Sequence, residues 1–175
     1  MRMNAKCAVA YAALLACTPS WVAATDYTKA TVEPDGQLIL HSADGKTQAA
    51  PRISRVHGTE SQVGFEKPLL GPDRRTVGWL ALFPNCCTSY PIPLELVLFR
   101  NGVVIQRIVG AEMPIWGWRF VVGSNQVAIT QRPTHGAAPD HYELRDVASG
   151  QLVEEYDRKE NQPPENIPQW AQGLN

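Results

Sequence analysis

Beyond residue 25 the apolar positions fall in short runs closed by Gly, Pro, Asn or Asp, and no window carries the i, i+3, i+4, i+7 stripe of an amphipathic helix. Gln37–Leu40, Arg75–Phe83, Leu94–Phe99 and Arg119–Val122 are short and rich in β-branched, aromatic and leucine side chains, the pattern of strands. Between such runs sit Pro34-Asp35-Gly36, Asp44-Gly45, Asn101-Gly102, Gly123-Ser124-Asn125 and Ser149-Gly150, residue types that tolerate the left-handed backbone of tight hairpins. The expected class is all-β, with strands joined as hairpins.

Two stretches overlay. The run PDRRTVGW from Pro72, followed by LVLFRNGVV from Leu96, matches GSNQVAI from Gly123, followed by LRDVASGQL from Leu144. Val127 lies 50 residues after Val77, and Gly150 lies 48 after Gly102. A period near 50 with four strands per unit is the spacing of propeller blades. PDRRTVGW resembles the S-P-D-G turn segment of TolB-type and other WD40-like blades, and LRDVASGQLV resembles their blade-closing Asp-x-x-Ser/Thr-Gly turn. Arg74 stands where that pattern has glycine, and the second copy lacks Pro-Asp. The resemblance spans roughly Gly71 to Tyr156 and implies antiparallel blade-like sheets. Closed propellers typically need at least four blades of about 40 to 50 residues, more than this chain supplies. Two units plus an N-terminal hairpin over Thr31–Ile53 therefore predict two or three blade-like antiparallel sheets, not a closed propeller. Sheet faces left open by that count are covered either by loops 84–93 and 157–170 or by another protein.

The N-terminus alters the compartment. Arg2 and Lys6 precede an apolar stretch from Cys7 to Ala16, and Val22-Ala23-Ala24 has the small residues of a cleavage site, so residues 1–24 are expected to be an export signal peptide and the location the periplasm. The domain division is then 1–24 leader, 25–156 a single all-β domain, and 157–175 an extended polar tail. Leu14-Leu15-Ala16-Cys17 also resembles a lipobox, which would instead make Cys17 a lipid anchor. The whole chain carries 16 basic and 17 acidic residues; without Arg2 and Lys6 the count is 14 to 17, a net charge of −3 that argues against nucleic-acid binding. No apolar run is long enough to span a bilayer.

Four cysteines occur, and cleavage after Ala24 leaves only the neighbours Cys86 and Cys87. Adjacent α-carbons lie about 3.8 Å apart, below the usual disulfide separation of about 4.4–6.8 Å. The pair is thus a strained vicinal disulfide, two thiols, or a link to another chain. It lies in Pro84–Pro93, where prolines around Ile92 hold an extended path suited either to presenting Tyr90 or to packing it over a sheet. This NCCTSYPIP stretch, with Pro114-Ile115-Trp116 and Thr134-His135-Gly136, resembles small exported bacterial proteins of unknown function. Trp116 and Trp118 have same-side spacing on a strand, and one of them is expected to pack against Trp79; a ligand-stacking platform is the other use of such a pair.

No nucleophile elbow, zinc-protease motif or phosphate-cradling loop occurs, so no catalytic residue and no cofactor is assigned. His135, Asp140 and His141 match no established metal spacing, and His41 and His57 are expected at the surface. A leader, about 150 residues and incomplete propeller-like sheets together resemble periplasmic immunity proteins of type VI secretion amidase effectors. That resemblance implies a non-catalytic inhibitor whose loop enters the cleft of a Cys/His peptidoglycan amidase. Gly123, Ser124 and Asn125 are the candidate tip, small and hydroxyl-bearing, though the same tripeptide suits a tight turn. Tyr90 and His135 are further candidate partner contacts. An envelope scaffold or lipoprotein-type accessory, and a carbohydrate-binding or hydrolase module, are the alternatives.

Overall fold

A computed structural model describes residues 24–86, 88–110, 113–135, 139–159, 163 and 166–174. All of the expected leader but Ala24 lies outside the described residues, as do Cys17 and Cys87.

The described residues are all-β. Their strands are β1 (Tyr27–Val32), β2 (Leu38–Ser42), β3 (Thr47–Ala49), β4 (Gly64–Leu70), β5 (Thr76–Phe83), β6 (Ile92–Arg100), β7 (Val103–Val109), β8 (Ile115–Val121), β9 (Gln126–Gln131), β10 (His141–Asp146) and β11 (Leu152–Asp157). They form three antiparallel sheets, β1-β2-β3, β4-β5-β6-β7 and β8-β9-β10-β11, in each of which every strand pairs with its neighbour in sequence. No barrel closes, and two of the sheets are four-stranded, blade-like meanders. Among the described residues no helix is long and apolar enough to cross a membrane.

The turns explain the strand boundaries. Asn101 and Gly102, at φ 50° and 83°, make the two-residue loop between β6 and β7, whose left-handed backbone matches the twist of paired strands. In the β4–β5 turn, Arg74 has φ 56° and donates its amide to the Gly71 carbonyl at 2.9 Å. Arg74 thus adopts the left-handed conformation that the blade motif normally assigns to glycine.

The sheets stack face to face, and the alternation of side chains along β5 feeds two cores. Val77, Trp79, Ala81 and Phe83 point towards Tyr27, Leu38 and Leu40 of the first sheet, while Leu80 faces Ile115, Trp118, Val127 and Ile129 of the third. Burial on both faces is why β5 and β6 read as nearly continuous apolar runs. The part of the middle sheet near β7 is covered by the 50–63 connection. There the fully buried Glu95 accepts the Val56 amide at 2.8 Å and pairs with Arg107 at 2.6 Å, and Arg107 also reaches the Ser54 carbonyl. A buried carboxylate is tolerable only with such partners.

Two expectations need correction. Neither Trp116 nor Trp118 packs on Trp79, which lies in the first core between Phe65 and Phe99, each at 5.9 Å. Trp118 belongs to the second core, against Phe120 at 5.1 Å, with its indole N–H donating to the Lys67 carbonyl at 2.9 Å. It lies over Gly78, where an added Cβ would come within 2.3 Å of the indole. A bulge at Ile115/Gly117 spoils the same-side spacing, and Trp116 stays half-buried, donating to the Arg132 carbonyl at 2.9 Å. The end of the tail is also not extended: residues 166–174 coil into turns that bury Ala171 and Leu174 on the outer face of the third sheet, against Ala128, Tyr142 and Leu144.

Candidate functional site

The stack has two ends. At one end the β4–β5 turn of the middle sheet meets the β8–β9 turn of the third, and a cleft of about 440 Å³ opens between them, walled by Pro72, Asp73 and Arg100 on one side and Phe120, Ser124 and Asn125 on the other. Asp73 organises its side. Its Oδ1 accepts the amides of Arg75 (3.0 Å) and Thr76 (2.9 Å), and its Oδ2 accepts the Thr76 hydroxyl (2.7 Å) and faces Arg100 at 3.1 Å. Partial burial raises the Asp73 pKa, but the hydrogen bonds from Thr76 and Arg75 and the Arg100 charge outweigh it and hold the carboxyl below its ordinary value.

Across the cleft, Val122, Gly123, Ser124 and Asn125 are all exposed, and Val122 is 89% exposed. Gly123 has φ 79°, a backbone glycine accepts without penalty. The Ser124 hydroxyl donates to the Val121 carbonyl at 3.2 Å, which leaves its lone pairs free to accept. Beyond this turn a second cleft, of about 500 Å³, separates β8 from the C-terminal turns and is bordered by Arg119, Val122 and Trp170. The tripeptide singled out in the sequence therefore sits as an exposed tip between two clefts.

The other singled-out residues lie elsewhere. Tyr90 is in the β5–β6 loop and His135 in the β9–β10 loop, so both are at the end of the stack opposite the Gly123–Asn125 turn. Tyr90 is 50% exposed, on a loop whose Thr88 hydroxyl accepts from Asn85 at 3.1 Å and donates to the Tyr90 carbonyl at 2.6 Å. Cys86 is exposed on the same loop, and its vicinal pairing with Cys87 lies outside the described residues.

His135, Asp140 and His141 do not converge, and no group of three or more potential metal-ligating side chains gathers among the described residues. His141 instead joins strands. Its Nδ1 is 2.6 Å from Asp157 of β11 and its Nε2 3.2 Å from the buried Glu143, which also pairs with Arg145. Burial opposes the charged ring, but the hydrogen bonds to Asp157 and Glu143 prevail and raise its pKa. With a carboxylate at each ring nitrogen, the protonated ring can donate to both Asp157 and Glu143.

Sequence reasoning missed Arg100, Arg119, Phe120 and Trp170, because each reaches the clefts only once the sheets are stacked and the tail folds back. Arg119, a lone charge in an apolar run, was the one available signal. Compared with protein-family models, with curated proteins and with solved structures, the chain gives no match.

Proposed function

We propose that this chain is a non-catalytic periplasmic binding protein of the immunity type, which blocks a Cys/His peptidoglycan-cleaving amidase by inserting the β8–β9 turn into the enzyme's cleft. The observation that carries this reading is the four-residue exposed tip Val122–Asn125, raised between two clefts at one end of the stacked sheets. A tip of small residues enters a narrow slot, and Val122 supplies apolar area at its base. Ser124 keeps acceptor capacity for an imidazole N–H, the donor that a Cys/His enzyme offers. The blade-like repeat and the leader give the layout that such inhibitors have, and the resemblance to WD40-like blades enters on the same footing. Tyr90 and His135, at the opposite end, play no part in this contact.

The test is affinity capture from a periplasmic extract of the native host. The tag belongs at the N-terminus of residues 25–175, because Leu174 is buried and a C-terminal tag would disturb its packing. A stoichiometric peptidoglycan hydrolase whose activity is quenched on binding, and released by Ser124→Arg, is the expected result. Capture of envelope structural proteins alone, or of a hydrolase that stays fully active when bound, would discard the inhibitor reading.

A further inference from the structure

The third sheet ends in an open edge. β11 is its outermost strand, and every residue from Leu152 to Asp157 is exposed except the half-buried Tyr156. Among the described strands longer than three residues, no other is so bare. The ladder shows which backbone groups of β11 are unused. Arg158 donates its amide to the Asp140 carbonyl at 2.9 Å, in the register that sets Tyr142 against Tyr156 and Leu144 against Glu154, so these are the hydrogen-bonded pairs. The alternate residues Glu155 and Asp157 therefore turn their N–H and C=O away from β10, and no described residue bonds to those groups. A bulge at Leu144/Arg145 ends the regular ladder, which confines the open edge to Glu154–Asp157.

Charge decides what this edge accepts. Glu155 aligns through Glu143 with Ile129 of the second core and lies on the inner face; Glu154 aligns through Leu144 with Ala128, on the outer face. Neither makes an ion pair among the described residues, whereas Asp157 is engaged by His141 and Arg158 by Asp140. Antiparallel pairing with a second copy would set carboxylates directly opposite one another. Centred on Glu154 it opposes Glu154 to itself, centred on Glu155 it opposes Glu155 to itself, and centred on Tyr156 it opposes Glu155 to Asp157. Like charges so placed are destabilising, and the same carboxylates attract a cationic strand.

We propose that β11 takes on, as a fifth strand of the third sheet, an extended polypeptide segment with lysine or arginine at two neighbouring positions. Neighbouring side chains of a strand fall on opposite faces, so one cation meets Glu155 on the inner face and the other Glu154 on the outer. The segment's backbone bonds to the outward groups of Glu155 and Asp157. Leu152 and Val153, 43% and 53% exposed, offer apolar contact beyond them. This edge is at the opposite side of the sheet from β8, and the inference does not depend on the amidase reading.

The experiment uses the chain from residue 25 with ¹⁵N labelling, and follows the backbone amide resonances of Glu155 and Asp157. Three capped peptides serve as probes. Ac-Val-Thr-Lys-Lys-Val-Thr amide carries the predicted pattern; the same peptide N-methylated at both lysine amides keeps the charge but blocks both of its edges; Ac-Val-Thr-Glu-Glu-Val-Thr amide reverses the charge. The expected result is a saturable downfield shift and slowed hydrogen exchange of both amides with the first peptide alone. Glu155→Pro removes an outward N–H that β10 does not use, so it should weaken binding about tenfold or more with the urea midpoint of the protein nearly unchanged. The double substitution E154K/E155K should exchange the preference, binding the glutamate peptide instead of the lysine one. Equal shifts with the N-methylated or the glutamate peptide, no saturable shift with the lysine peptide, or full-strength binding to Glu155→Pro would overturn the assignment. Shifts of the same amides that follow protein concentration without any peptide would overturn it in favour of a second copy.

Discussion

Arg74 and His141 show how much a single position carries. A non-glycine residue in the left-handed region costs about 1–2 kcal/mol, which glycine avoids at the expense of greater freedom when unfolded. Arg74 is exposed and makes no ion pair among the described residues, so Arg74→Gly should stabilise the protein by about 0.5–1 kcal/mol, measurable as a higher denaturant midpoint with unchanged slope. His141 gives a pH dependence whose sign follows from its raised pKa: the stability it contributes is complete below the ordinary value of 6.5 and is lost as pH rises through the folded value. Glu143 behaves in the opposite way. Burial raises its pKa, yet the bonds from Arg145, Gln131 and His141 hold it below the ordinary 4.5, so its contribution is present above that value and lost as pH falls through the folded one. For this cluster, stability should be greatest between pH 4.5 and 6.5, and urea titrations of His141→Gln should show a flattened alkaline limb. An alkaline limb unchanged by that substitution would refute the clamp. His141 and Glu143 share a face of β10 by the strand period of two, but Asp157 joins them only through the β10–β11 pairing, which no sequence pattern announced.

At the level of elements, the C-terminal turns count as a fourth layer. They cover Tyr142, Leu144 and Ala128 with Ala171 and Leu174, and Ile167 and Trp170 pack at the edge of that cluster. Replacing Leu174 by Ala should cost about 2–3 kcal/mol, and deleting residues 166–175 more, with new binding of a hydrophobic dye to the bared face. A truncated chain of unchanged stability would show that the turns are passive. The cover also narrows the case for a partner: the third sheet's outer face is not vacant, and the argument for binding rests on the β8–β9 turn. The hairpins were legible because each turn residue that allows a left-handed backbone is local, and Asn101-Gly102, Asp44-Gly45 and Ser149-Gly150 all fall between paired strands. β4 was not legible. Its Lys67 at φ 48° and Pro68 interrupt the alternation, and a bulge between Glu66 and Leu69 resets the register. The tail was missed for another reason: Ala171 and Leu174 are too sparse to form a periodic pattern and are buried by a face that a distant part of the chain provides.

For the molecule as a whole, the middle sheet decides cooperativity. It supplies side chains to both interlayer cores, so neither outer sheet can separate without baring apolar area on β4–β7. Unfolding should therefore be a single transition in which tryptophan fluorescence, near-ultraviolet and far-ultraviolet dichroism coincide. Two resolved steps would mean that the first sheet, joined through residues 50–63, melts by itself. The strand order carries one more consequence. Because every strand pairs with its immediate predecessor or successor, no sheet waits for a segment made much later, and a chain emerging from the ribosome N-terminus first can complete its layers in the order of synthesis. Only the last surface departs from that rule. Residues 166–174 seal it, so the outer face of the third sheet stays bare to any factor that recognises exposed apolar surface until those residues have been made, and a chain ended before them displays its own defect.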